Sequence, residues 1–253
     1  MSYCQFSQTN ALHKYYHDKE YGFPVSNDNV LLERLALEIN QAGLSWDLML
    51  KKRAGFNEAF HDFDVEMVAR MKSRDIARLL KNAGIVRNRK KIEALIHNAN
   101  IIIGLQKSHG SFAAWLTYHA NGQDEKAWTL LFKKQGFKFV GGEIMKEFLQ
   151  SVGHLPSPHE KSCRVNQDIF KAKVLAIVKS IPKGETVTYG DVAKLAGRPQ
   201  AARAVGALMR ANKDKRIPCH RVVASSGLGG YNGLRGKSKA RILKNEKIAV
   251  RSN

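Results

Sequence analysis

Apolar residues return at spacings of three and four through most of this chain, the period of helices that bury one face. "NDNVLLERLALEINQAGLSW" (residues 27–46) opens on cap-type residues and keeps that period, and so do "SRDIARLLKNAG" (73–84) and "RNRKKIEALIHNANIIIGL" (87–105). Later, "DIFKAKVLAIVKSI" (168–181) reads as one helix, and "TYGDVAKLAG" with "RPQAARAVGALMRAN" (188–212) as two helices joined at a Gly-Arg-Pro turn, a helix-turn-helix pattern. The pattern thus predicts a mainly α protein. "GHLPSPHEKSCRVNQ" (153–167), with two prolines inside three residues, marks a boundary between domains at 1–163 and 164–253. No internal repeat or low-complexity segment interrupts it.

Charge sharpens this division. The 253 residues carry a net charge of +20. Residues 1–163 hold 22 Lys and Arg against 17 Asp and Glu, whereas residues 164–253 hold 20 against 5. Such an excess calls for a polyanion, and nucleic acid fits better than an acidic membrane surface, because the cations interleave with helical signals and form no polybasic tail. No run approaches a membrane span and the amino terminus lacks a signal-peptide core, so a cytoplasmic protein with reduced thiols is expected. Three cysteines, far apart, fit metal ligation or nucleophilic chemistry better than a disulfide framework.

Several residues then draw attention. Glu38 shares a helical face with Leu31, Leu35 and Ala42, so a carboxylate lies among apolar neighbours, either to meet a ligand or to cap a helix or pair with a buried Arg. Tyr15, Tyr16 and Trp46 bracket its helix, as core aromatics or as stacking surfaces for a flat ligand such as an extruded base. Cys4, His17, His159 and Cys163 offer two thiolates and two imidazoles, a set suited to tetrahedral zinc that would join the two ends of the first domain. With nine histidines in the chain, chance is as good an account of that spacing.

"CQFSQTNALHKYYHDKEYGFPVSND", "LALEINQAGLSW", "LLKNAGIVRNRKKIEA" and "GFKFVGGEIMKEFLQSVG" resemble the signature blocks of DNA-3-methyladenine glycosylase I, a helix-hairpin-helix-type base excision family, over residues 3 to about 163. The resemblance implies that Cys4, His17, His159 and Cys163 hold one structural zinc, and that Glu38, with Tyr16 and Trp46, forms the pocket for the flipped methylated base. It also implies that "AGIVRNRKK", with Gly84, Arg87 and Arg89, supplies amides and cations to phosphates. Two residues depart from the family pattern: Phe6 and Tyr21 both stand where tryptophan is usual.

"IPKGETVTYGDVAKLAGRPQAARAVGALMRAN" followed by "IPCHRVV", "GGY" and "LKNE" is similar to the active-site domain of O6-alkylguanine-DNA alkyltransferase, over residues 165 to about 247. A helical, winged-helix-like domain with a helix-turn-helix follows from that likeness. It implies Cys219 as alkyl acceptor, needing no cofactor, with His220 as base through a water and Glu246 orienting the imidazole. It further implies Tyr189 turning the nucleotide, Arg203 filling the vacated stack, and Asn212 as hinge; from the residues alone, Tyr189 is equally a packing aromatic and Arg203 an exposed charge. The departures are a short charged "KDKR" loop, a "YNGLRGKSK" stretch without the usual Gly-Gly pair, and the absence of that family's usual amino-terminal domain. Together the two likenesses imply a bifunctional repair protein acting on double-stranded DNA with alkylated bases, with no membrane or oligomeric partner implied. The alternatives are a glycosylase joined to a lesion sensor that transfers nothing, and a zinc-stabilised DNA-binding module without activity.

Overall fold

The computed structural model describes residues 2–120, 123–156, 158–230 and 237–246. Fourteen helices dominate these residues: α1 (Tyr3–Phe6), α2 (Ala11–Lys19), α3 (Asp28–Gln41), α4 (Trp46–Ala59), α5 (Val65–Ala69), α6 (Ser73–Lys81), α7 (Arg89–His109), α8 (Phe112–His119), α9 (Glu125–Lys134), α10 (Gly142–Ser151), α11 (Val165–Ser180), α12 (Tyr189–Leu195), α13 (Ala202–Ala211) and α14 (Lys237–Asn245). The chain folds as two units, each packed within itself, Met1–Cys163 and Arg164–Asn253. No helix among the described residues is long and apolar enough to cross a membrane.

In the first unit α3 is the central element. Asn27 caps it by accepting from the amides of Asn29 and Val30. All residues from Leu31 to Asn40 are buried, so the helix has no solvent face. The apolar period in the sequence continues to Trp46, but the helix stops at Gln41. Gly43 takes φ 85°, a left-handed conformation that ends the helix, and Ser45 caps α4 by accepting from Leu48. Aromatic residues from α8, α9 and α10 (Phe112, Trp115, Trp128, Phe132 and Phe148) fill the rest of the core.

A helix-hairpin-helix is made by α6, the turn 82–88 and α7. Asn88 caps α7 through Lys91 N, and Asn82 Oδ1 accepts from Gly84 N at 2.7 Å. Lys52 Nζ, from α4, donates to the Ala83 carbonyl at 2.7 Å. The hairpin sits so close to α4 that a Cβ on Gly55 would lie 2.6 Å from the Gly84 carbonyl oxygen.

In the second unit α11 packs on α12, and α12 and α13 form the helix-turn-helix, with Gly197 at φ 83° in the turn. Two short strands, β1 (Val187–Thr188) and β2 (Val222–Val223), pair in parallel with Val187 opposite Val222. This pairing places the chain after β1, where Tyr189 starts α12, beside the chain before β2, where Cys219 lies. The "YNGLRGKSK" departure, and Tyr231 of "GGY", fall largely on residues 231–236, outside the described residues.

The Gly55–Gly84 approach yields the first prediction. Gly55→Ala must push backbone against backbone, at a cost of about 1 to 3 kcal/mol of stability. Urea unfolding of the variant should show that loss, and an unchanged midpoint would contradict the close approach.

Candidate functional site

Four polar side chains are buried on α3, and three have partners. Arg53 donates to Glu33 at 2.7 and 3.0 Å, Arg34 is bonded to Glu20, and Asn40 Nδ2 donates to the Ala36 carbonyl at 2.8 Å. Glu38, 5% exposed, makes no hydrogen bond among the described residues and faces a cavity of about 530 Å³. Burial first, then the nearby Glu147 carboxylate, pushes its pKa up to about 8, with Arg34 opposing. The alternative of a pairing with a buried Arg is therefore not made: Arg34, one helical turn away, is taken by Glu20.

The cavity is lined on one side by the end of α3 and the following turn, Gln41 to Ser45, and on the other by Glu143, Ile144 and Glu147 of α10. Lys91 of α7 fixes the first wall, its Nζ donating to the carbonyls of Asn40 and Ala42 at 3.0 and 2.9 Å. Ala42 is exposed at the helix end and does not extend the apolar face of Leu31 and Leu35. Tyr16 is buried, stacks on Tyr21 at 5.3 Å and meets Trp46 at 5.0 Å between ring centroids, while the Arg34 guanidinium lies 4.9 Å over its ring. Its hydroxyl is buried without a partner. Tyr15, by contrast, is 61% exposed and takes no part in this aromatic group. Phe6 lies at the surface, edge-on to His13.

Cys4, His17, His159 and Cys163 come together, their ligand atoms all within 4.8 Å of one another. His159 Nε2 donates to the Tyr21 carbonyl at 2.8 Å, so its Nδ1 carries a lone pair; His17 Nδ1 donates to Asp18 at 2.7 Å, so its Nε2 does as well. These two lone pairs face each other at 3.0 Å, and both thiols lie 3.7 Å from His159 Nδ1. Two facing lone pairs repel unless a cation stands between them. The 3.7 Å thiol–imidazole separations fall within the roughly 3.3 to 3.8 Å edges of a tetrahedron built with ordinary metal–nitrogen and metal–sulfur bonds, while the 3.0 Å nitrogen–nitrogen separation is shorter than such an edge. Burial also lowers the pKa of His159, which favours the neutral, ligating imidazole.

Arg87 and Arg89 are exposed at the hairpin, Arg89 in an ion pair with Glu93. The Gly84 amide, expected to be offered to phosphate, is instead engaged by Asn82 inside the turn.

In the second unit Cys219 belongs to the core, 4% exposed among Val178, Val192 and Val222. Burial raises its pKa, against a hydrogen bond from Asn212 Nδ2 to Sγ at 3.2 Å. Asn212 ends α13 and also donates to the Asp214 carbonyl, so it ties that helix to the cysteine loop. Next in sequence, His220 Nε2 lies 3.2 Å from Glu246 Oε1. Arg221 grips the same carboxylate at 2.8 and 3.0 Å and donates to the Ile181 carbonyl. Arg221 foremost, then His220, holds the Glu246 pKa down to about 2, so this group orients and does not accept protons. Tyr189 is half-buried, its hydroxyl donating to the Gly230 carbonyl, and Arg203 is exposed on α13.

Sequence reasoning missed Lys239. Fully buried, it donates to the carbonyls of Val222, Leu228 and Gly230 and sits 5.5 Å over the Tyr189 ring; burial brings its pKa down to about 8. It closes the loop around Cys219 and Tyr189. Its only sequence signal was a lysine on the apolar side of a short carboxy-terminal helix.

Residues 6–167 match the methyladenine glycosylase family model, and residues 169–248 match the model for the DNA-binding domain of 6-O-methylguanine DNA methyltransferase. DNA-3-methyladenine glycosylase 1 of Escherichia coli is 36% identical over 180 residues, covering 64% of this chain and 96% of that one. The structure of 3-methyladenine DNA glycosylase I from Staphylococcus aureus superposes with a TM-score of 0.59 at 35% identity, over 65% of this chain and 96% of that chain. The mouse methylated-DNA–protein-cysteine methyltransferase is 45% identical over 97 residues, which span 37% of this chain and 46% of the mouse protein. With its first two thirds matched throughout, and with a partnerless buried carboxylate facing the cavity there, the chain belongs to the methyladenine glycosylase family.

Proposed function

We propose that this protein repairs alkylated double-stranded DNA in two ways, by excising 3-methyladenine in the first unit and by taking O6-alkyl groups from guanine onto Cys219 in the second. The observation that carries the first activity is Glu38, buried and without a partner on the wall of a cavity. N3-methylated adenine in DNA is a cation, so it supplies the charge this carboxylate lacks, while an unmodified base leaves Glu38 unsatisfied. Tyr16 and Trp46 pack on each other near Glu38 but are not among the residues lining the cavity, so stacking on the base requires them to be uncovered as it enters. As the N9–C1′ bond breaks, its electron pair neutralises the departing base; water adds at C1′ and releases a proton. Arg87 and Arg89 contact the phosphates.

The Cys4, His17, His159 and Cys163 set fits zinc, with two soft thiolates and two oriented imidazoles and no position left open for substrate. Its part is structural.

In the second unit Cys219 is a thiol until His220 takes its proton, and Glu246, fixed by Arg221, steadies the resulting imidazolium. Sulfur then bonds the alkyl carbon, the C–O6 bond breaks, its electron pair returns to guanine, and guanine gains the proton that left the thiol. Tyr189 and Arg203 serve nucleotide turning and stack filling, and Asn212 holds the loop to the helix. A thioether has no facile leaving path, so each molecule acts once.

Three measurements test this reading. Elemental analysis should find about one zinc per chain, and Cys163→Ala should lose the metal together with thermal stability; zinc retained in that variant would sink the metal assignment. Because Glu38 must be ionised to face a cation, kcat/KM for base release should climb about tenfold per pH unit up to about pH 8 and then level. Folding runs the other way. Glu38 ionises near 4.5 when unfolded and near 8 when folded, so the stability it contributes falls as pH rises between those values. Glu38→Gln should abolish both slopes and cost about 1 to 3 kcal/mol in base recognition; a variant with the wild-type pH profile would show the carboxylate to be structural. Finally, Cys219→Ala should end label transfer from methylated DNA to protein while base release continues, and Arg203→Ala should slow transfer without changing thiol reactivity. Label found on Cys4 or Cys163, or one molecule clearing many O6-methylguanines, would refute the assignment and favour a lesion-sensing second unit.

A further inference from the structure

Glu38 does not line its cavity alone. Glu147 of α10 faces the same space, and Glu143 stands exposed on that wall. Glu147 is held in place, since the Tyr21 hydroxyl donates to its Oε2 at 3.0 Å. Tyr21 is itself stacked on Tyr16 and packed edge-on against His159 at 5.6 Å. The same aromatic layer therefore positions Tyr16 and, through one hydroxyl, a second carboxylate.

The charges around Glu38 leave this negative wall uncompensated. From its own helix comes Arg34, bonded to Glu20; from α10 comes Glu147; α1, α2 and the turn after α2 present the phenols of Tyr3, Tyr16 and Tyr21. Lys91 of α7 is spent on two carbonyls behind the pocket wall. No Lys, Arg or His is among the lining residues.

We infer that Glu147, positioned by Tyr21, is a second specificity-determining carboxylate, so that a cationic purine is held between two acidic walls and a neutral base is opposed by both. The inference rests on the reading of this cavity as the base pocket. Two carboxylates facing one cavity repel, and a proton retained on one of them relieves the repulsion. An incoming cation replaces that proton without adding net charge. A neutral base cannot make the exchange, and leaves either a strained pair of anions or a carboxylic acid with no acceptor. The elevated Glu38 pKa, with Glu147 its second cause after burial, agrees with this arrangement.

The test compares wild type, Glu147→Gln, Tyr21→Phe and Glu38→Gln in single-turnover release of 3-methyladenine from methylated duplex DNA, from about pH 6 to about pH 9. Glu147→Gln should move the midpoint down by about one pH unit, because Glu38 loses its repelling neighbour. It should also cost about tenfold at the alkaline plateau, mainly in KM, with the loss shrinking toward acid pH. Tyr21→Phe should act in the same direction to a smaller degree, and melting curves of both variants control for folding. A Glu147→Gln profile superimposable on wild type, or a loss uniform at every pH, while Glu38→Gln is impaired, overturns the inference and leaves the pocket standing. Full activity in Glu38→Gln would overturn the pocket reading itself.

Discussion

A helix with no solvent face is the constraint from which the first unit follows. Ten consecutive residues of α3 are buried, and each polar one among them needs an answer from a neighbouring element. Glu33 draws Arg53 from α4, Arg34 draws Glu20 from beyond α2, and the exposed end of the helix draws Lys91 from α7. These demands fix how α2, α4 and α7 surround α3. Among the described residues, Glu38 is the buried polar side chain of α3 that makes no hydrogen bond at all, and it stands on the wall of the cavity. What stabilises the unit thus also defines the shape of the vacancy.

The second unit uses the same physics on a different group. Burial favours the neutral form of both groups, the thiol of Cys219 and the carboxylic acid of Glu38. They differ in what ends that state. In the function proposed above, it is the charge of the ligand for Glu38, and for Cys219 an imidazole backed by a carboxylate that Arg221 keeps ionised. The parallel pairing of β1 with β2, only two residues long, is enough to bring Tyr189 beside the cysteine loop, and Lys239 locks that arrangement by gathering three backbone carbonyls.

Local signals were legible in the sequence because they act over one helical turn. Asn27, Asn88 and Thr188 cap the helices that the apolar period announces, and the Gly-Arg-Pro turn lies between α12 and α13. The stop after Gln41 was harder to see, since Gly43 ends the helix while the apolar spacing runs on to Trp46. Glu38 stood out as a charge on an apolar face, but whether Arg34 neutralised it depended on Glu20, fourteen residues earlier and on another element. Lys91, Glu147 and Lys239 were silent for the same reason. Each is an ordinary charged residue on its own helix, and its role arises from a carbonyl or carboxylate that only the folded chain brings near. Tyr21 is an intermediate case: its departure from tryptophan was visible, but its hydroxyl's partner, 126 residues away, was not.

The Cys4, His17, His159 and Cys163 cluster has a consequence for how such a chain can be assembled. Because these four side chains come from both ends of the first unit, those ends lie within a few ångströms of each other. A body so closed behaves as a cassette. With zinc bound as proposed, a chain appended after residue 163 pulls on the metal cluster and not on a fraying helix end. The same closure makes the unit a good subject for circular permutation, because a linker of a few residues suffices to join the old ends and a new opening can be cut in a surface turn.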